Sequence, residues 1–189
     1  MDLSAFPNSI NTYNCRESEK SMSDVSVEEG INFLYNSKIQ DFNNWRMKNV
    51  TVKLDINGKS FSGRDLSQAY LNGISCIGTD FSHCNLSKVN FVQAILNKAN
   101  FEGANLTDAL LMYAEMAECN LVNSDVTRTN FMFANLQKSN LTGSKFLKTI
   151  LVEANMKDVK ISNVDKKDVY LKYAKIEGTL WDVKDSSGR

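Results

Sequence analysis

From Arg64 to Val183 an apolar residue returns every fifth position, without one insertion. In phase, the apolar centres run Leu66, Leu71, Cys76, Phe81, Leu86, Phe91, Leu96, Phe101, Leu106, Leu111, Met116 and Leu121, then on through Phe131 and Leu151 to Trp181. Of 24 such centres only Lys166 is not apolar. Two places before each centre stands a small or β-branched residue, as in Ala69, Thr79, Cys84, Val89 and Ala94, with Arg64 and Ile74 the large exceptions. Thirteen of the positions just before a centre are Asp or Asn, and Ala99-Asn100-Phe101-Glu102-Gly103 is among the best-kept copies. Five is neither the 3.6 of a helix nor the 2 of a strand, so no single regular element keeps both selected positions inward. The backbone must turn once per pentad. A chain that turns at fixed intervals and buries one large and one small side chain per unit is a solenoid, each coil covering the apolar face of the next.

This pattern resembles the pentapeptide repeat family, whose motif is a small residue, Asp or Asn, Leu or Phe, a small polar residue and often Gly. The resemblance covers about two thirds of the chain. It implies an all-β fold, a right-handed parallel quadrilateral β-helix with four pentads per coil. The outward positions test that twenty-residue coil independently of the family. Val92, Met112, Met132 and Val152, each just after a centre, lie twenty residues apart, and Tyr70, Leu110, Ile150 and Tyr170, each just before one, share the same phase. With coils spaced like neighbouring strands, about 4.8 Å, some six coils make a rod roughly 30 Å long.

The remaining sequence reads as start and finish of that rod. Residues 1–24, rich in Ser and Asn, are expected to be a disordered leader. Such a Ser-rich leader also resembles the secretion signals of bacterial type III effectors. Residues 25–60 read as a helical and hairpin cap. Ser26 and Glu29 form a capping box before Ile31, Leu34 and Tyr35, predicting a helix near 27–36. Ser37 and Gln40 repeat the box before Ile39, Phe42 and Trp45, predicting a second short helix to about Arg46. Val50, Val52, Leu54 and Ile56 then alternate with polar residues, and Asn57-Gly58 suits the tight turn of a hairpin. A cap is expected because a solenoid's open end exposes both core and unpaired strand edge. The β-helix itself is expected over 61–183, with the Trp181 ring over the last coil and a mobile tail at 184–189.

Composition narrows the function. The chain has 189 residues, 22 Lys and Arg against 22 Asp and Glu, and 42% hydrophobic residues, so one domain with a substantial core is expected. A balance of zero charge points to no nucleic-acid partner, and no apolar run is long enough to insert in a membrane. The amino terminus lacks the basic start and apolar run of a signal peptide, so the chain is read as cytoplasmic, or secreted into a host cell by a route needing no such peptide. Cys76, Cys84 and Cys119 occupy inward positions at spacings that match no metal or redox motif, and read as reduced apolar fillers. His83, the one histidine, falls at an outward corner beside Ser82, where Asp80 is the repeat's own preference and not an orienting carboxylate. No catalytic residue, cofactor or metal ligand is indicated. The chain is read as no enzyme.

Outward residues offer one distinctive surface. Val92, Met112, Met132 and Val152 should form a vertical stripe on one face, flanked by Leu110, Tyr113, Phe133, Ile150 and Tyr173, while the other faces carry mostly polar residues. A contiguous patch of several hundred Å2, rich in adaptable methionine, marks a protein-binding face, for a protein partner of unknown identity or a second copy in a homodimer. Folding of 26–60 over the stripe is the alternative to be tested. The family resemblance also implies a competing function, a rod that mimics DNA, binds gyrase and protects it from quinolones. Against it stand the zero net charge, the absence of a loop insertion between coils and the lack of a closing apolar helix.

Overall fold

The computed structural model describes residues 22–162 and 168–182. Helix α1 (Met22–Tyr35) and helix α2 (Ile39–Lys48) lead into a parallel solenoid. Its coils are joined by parallel bridges from Asp55↔Ser75 to Asn155↔Lys175, every partner twenty residues on. Two-residue strands appear late in the run, where β1 (Asn140–Leu141) pairs with β3 (Lys160–Ile161) and β2 (Thr149–Ile150) with β4 (Val169–Tyr170), all parallel.

Each pentad folds by the same local logic. The centre's carbonyl accepts the amide three residues on, as in Ala134 N–H to the Phe131 oxygen at 2.9 Å. The second residue after the centre takes positive φ, for example 63° at Gln68 and 54° at Arg128. Together these mark a type II turn, whose left-handed position favours Gly and is filled here by Gly, by mostly polar side chains and by three aromatic ones. The next coil pairs with the flat stretch around the centre. Leu86 N–H donates to the Asn105 carbonyl at 2.8 Å, and Asn105 N–H to the Cys84 carbonyl at 2.9 Å.

The Asp and Asn preference before the centre now has its cause. That side chain accepts the amide two residues on, as Asp65 does from Ser67 at 2.9 Å and Asn90 from Val92 at 3.0 Å, stabilising the turn locally. Where Asn follows Asn around the coil, its amide also donates along the column, Asn120 Nδ2 to Asn100 Oδ1 at 3.0 Å. Ser67's amide is the chief reason that the Asp65 carboxyl is held below its ordinary value of 3.8.

All described centres from Leu66 to Ile161 are buried in one continuous core. Phe61, Phe81 and Phe101 stack at 5.8 and 5.3 Å, and Phe91 meets two of them edge-on. At the small inward position a hydroxyl donates to a centre's carbonyl on the preceding coil, as Thr129 to Leu106 and Ser139 to Met116 at 2.7 Å each, so the core tolerates these polar groups.

The segment expected as a cap holds two helices and the first turns of the solenoid. Tyr35 stacks on Phe61 at 4.7 Å and ends the aromatic column. Arg64, an exception to the small-residue rule, bonds the Tyr35 carbonyl and lies 5.4 Å over its ring. Its size is needed to reach the helix. Gly30 of α1 faces Trp45 of α2 so closely that an added Cβ would lie 2.6 Å from the indole.

The capping boxes do not form where expected. Helix α1 begins at Met22, so Ser26 lies inside it, and Lys38 precedes α2 without a side-chain cap while Ser37 turns at φ 52°. The hairpin is also absent. Asp55 and Ser60 pair in parallel with Ser75 and Asp80, only Gly58 of the Asn57-Gly58 pair has positive φ, and Gly58 N–H donates to the Ile77 carbonyl at 2.9 Å. A type I′ turn needs positive φ at both residues. Asp55 instead accepts the Asn57 amide at 2.8 Å, as the repeat's own turn requires, so the coils start about one pentad before the expected boundary at 61. The expected leader, except for Met22–Asp24 in α1, the break at Lys166 and the tail at 184–189 lie outside the described residues. Trp181 is buried and meets Phe146 edge-on at 6.1 Å, in keeping with a ring against the last coils.

Candidate lateral binding face

The backbone ladder sets the stripe. The carbonyls of Val92, Met112, Met132 and Val152 accept amides from Gly73, Gln93, Tyr113 and Phe133, at 2.9 to 3.1 Å, which places the four residues on successive rungs. All four are half-buried. Beside them Leu110, Asn130 and Ile150 follow one another by parallel bridging. Tyr113 and Phe133 both stand at left-handed turn positions and stack at 4.8 Å, inclined by only 8°. Leu110 is 39% exposed, Phe133 38%, Tyr113 53% and Tyr173 73%, so large apolar groups on both sides of this face are partly open to solvent. Tyr173 carries the Lys172 ammonium 4.9 Å over its ring.

The cap does not run down this face. The bonds from α2 into the solenoid end on its first coil, where Asn43 binds Gln68 and Tyr70 and Arg46 binds the Asn72 carbonyl. The structure adds members that the periodicity left out. Met47 and Val50 are exposed and border a small hollow of about 120 Å3 with Tyr70, at the top of the same face. Tyr70 shares the phase of Leu110 and Ile150, but Met47 and Val50 lie outside the repeat and carry no sequence signal for this surface.

Other candidates offer less chemistry. A groove of about 800 Å3 beside α2 is lined by Lys38, Asp41, Asp65, Tyr70 and Lys88 among others, a mixed set with no paired acid and base. His83 is exposed at a turn, packed over Gly103. No group of three or more potential metal ligands and no helix long and apolar enough to cross a membrane occurs among the described residues.

The three described thiols are buried and unpaired. Burial pushes Cys84 up to about 11 and Cys119 to about 12, and Cys76 rises well above the ordinary thiol range. At pH 8 these thiols stay protonated and so unreactive. Native protein treated with a maleimide should therefore carry no label at Cys76, Cys84 or Cys119 by peptide mass mapping, and all three should label in denaturant. Labelling at any of them without denaturant would contradict this core.

Comparison with known proteins bears on the whole arrangement. The family profile of pentapeptide repeats in eight copies matches residues 60–97, 74–112, 96–128, 109–147 and 129–165. HetL from the cyanobacterium Nostoc sp. strain PCC 7120, involved in heterocyst differentiation regulation, is 23% identical over 64% of this chain with a TM-score of 0.48. The matched region spans 55% of HetL. QnrB1, a plasmid-mediated fluoroquinolone resistance protein, is 18% identical, covering 67% of this chain and 89% of its own, with a TM-score of 0.42. Rfr23 from the cyanobacterium Cyanothece 51142 is 17% identical, covering 74% and 93%, with a TM-score of 0.33. No curated protein sequence matches the chain.

Proposed function

Since this chain belongs to the pentapeptide repeat family, its profile spanning residues 60–165, we propose that it is a non-enzymatic scaffold that binds a protein through the lateral face of its rod. The finer reading of the fold, a right-handed four-sided β-helix of about six coils under an N-terminal helical cap, belongs to this proposal. So does a bacterial effector, or the recognition part of one, as the setting in which the scaffold works. The observation that carries the reading is the patch of Leu110, Met112, Tyr113, Met132 and Phe133, which the described residues leave partly open to solvent on a rod whose other described faces present mostly polar residues. A large apolar patch left in water favours burial against a partner.

Met112→Glu with Met132→Glu tests it. Two carboxylates brought unpaired into an apolar interface cost several kcal/mol, enough to reduce binding more than a hundredfold. Proteins retained by the immobilised wild-type chain should be lost from the double variant, with the melting temperature moved by no more than about 2 °C, as expected for outward positions. A large drop in melting temperature would show the stripe to be core. The gyrase-binding alternative has its own readout, protection of gyrase from a fluoroquinolone at low micromolar protein. The 22 acidic and 22 basic residues weigh against it, because imitation of DNA needs net negative charge.

A further inference from the structure

We propose that the occupant of the lateral face is a second copy of this chain, lying side by side and parallel, with the two-fold axis along the rods. This rests on the reading of the face as a binding surface and specifies its partner. The argument comes from the two edges of the face, which differ in charge. The edge entered first by the chain carries turn residues Lys88, Asp108, Arg128 and Lys148 on successive rungs. Asp108 is bound by Arg128 at 2.6 Å and Asp168 stands one rung below Lys148, so Lys88, Arg128 and Lys148 outnumber the carboxylates and this edge is net positive. The edge by which the chain leaves carries Tyr113, Phe133 and Glu153, with Glu115 beside them. Neither Lys148 nor Glu153 has an ion partner among the described residues.

Two copies can meet face to face about a two-fold axis in two ways. An axis across the rods sets first edge against first edge, so lysines face lysines and the glutamates find no cation. An axis along the rods sets the first edge of each copy against the second edge of the other, rung against the same rung. Lys148 then meets Glu153 of the other copy, twice by symmetry, and like charges separate. Charge complementarity selects the parallel arrangement.

Shape agrees with charge. On the first edge large Leu110 and Ile150 flank Asn130, whose side chain turns back to accept the Met132 amide at 3.0 Å. That leaves a notch on the rung of Phe133. In the parallel arrangement the Phe133 ring of each copy enters the notch of the other, Tyr113 packs on Leu110, and the Met112 and Met132 side chains close the midline. Lys172 bounds the patch below, its ammonium drawn toward Tyr173.

Four rungs at about 4.8 Å and a width of one face give roughly 300 Å2 per copy, less than the ~800 Å2 of a standard stable interface. The dimer is therefore weak, forming at about 10–100 µM, and association should be followed by sedimentation up to about 200 µM. Lys148→Glu alone and Glu153→Lys alone should each weaken dimerisation at least tenfold, and the two together should restore it to within threefold of wild type. In a Cys15→Ser background, Met112→Cys and Val152→Cys should each form self-linked dimers on mild oxidation. Both can do so only if the axis runs along the rods, because an axis across them holds at most one of two separated rungs.

A wild-type chain that remains monomeric at 200 µM, a charge-exchanged pair no better than the single changes, or self-linking at only one of the two cysteines would each overturn the proposal. These results are distinct from failure of the underlying reading. If the face is core, Met112→Glu with Met132→Glu lowers the melting temperature. If it is a surface for another protein, that variant melts like wild type while the wild-type chain sediments as a monomer.

Discussion

Phe131→Glu is expected to abolish cooperative folding. Phe131 has no exposed surface and sits in the middle of the rod, its amide bonded to the Ile150 carbonyl at 2.8 Å and its carbonyl closing the turn to Ala134 at 2.9 Å. Losing the ring costs about 3–5 kcal/mol, as large-to-small changes do in packed cores. Leaving a carboxyl there without a partner adds several more. Their sum rivals the 5–15 kcal/mol that holds a typical domain together. A solenoid cannot spread the damage, because each coil is stabilised only by its neighbours, and a break at this rung leaves two short stacks with open ends. Lys98→Glu is the matched control, since Lys98 is exposed at a turn with φ 62° and exchanges one long polar side chain for another. Circular dichroism on heating should show a sharp transition for the control and none for Phe131→Glu. Two equal melting temperatures would refute the assignment of Phe131 to the core.

What was legible in the sequence, and what was not, divides along the same line as local and non-local interactions. The repeat was legible because every rung imposes the same demand at the same spacing. Leu111, Phe131 and Leu151 must all fill one column, and Asn90, Asn100 and Asn120 must each hold the amide two residues on. The apolar series Val92, Met112, Met132 and Val152 was legible for the same reason, since its members lie one full coil apart. The first coil was missed because Asn57-Gly58 satisfies a hairpin turn and a repeat turn equally, and only pairing with residues twenty further on decides between them. The start of α1 was misplaced because Ser26 and Glu29 fit a capping box, yet the helix already runs from Met22. Arg64 looked like a flaw in the pattern until Tyr35, 29 positions earlier, proved to be its partner. The share of Met47 and Val50 in the candidate face depends wholly on where α2 lands, which no local pattern encodes.

Asn43 makes the most buried of the bonds that set where α2 lands, and Asn43→Ala should show it. Along the rod the amide just before each centre donates to the coil above, as Asn90 does to the Ala69 carbonyl at 3.0 Å and Leu110 to Val89 at 2.9 Å. Tyr70 has no coil above it. Its amide donates instead to Asn43 Oδ1 at 2.8 Å, while Asn43 Nδ2 donates to the Gln68 carbonyl at 2.9 Å. A single carboxamide from α2 thus supplies the acceptor that a missing strand would have offered, and adds a donor to a turn carbonyl that no strand reaches elsewhere along the rod. Asn43 is only 7% exposed, so its loss leaves both backbone groups facing a site poor in water. Each unsatisfied group costs about 1–3 kcal/mol. A loss of about 2–4 kcal/mol should lower the melting temperature by roughly 5–15 °C in a chain of this size. Gln40→Ala, one turn earlier and exposed with a long 3.4 Å bond to Asn44, should leave it nearly unchanged. Hydrogen exchange gives the sharper test, because the damage should stay at the end of the rod. In Asn43→Ala the Tyr70 amide should exchange much faster while the Asn130 amide, bonded to the Ala109 carbonyl at 2.9 Å, keeps its native rate. An unchanged rate at Tyr70 would mean that this amide does not depend on Asn43, and that the helices are held by the arginine bonds of Arg46 and Arg64 and by the packing of Tyr35 and Trp45.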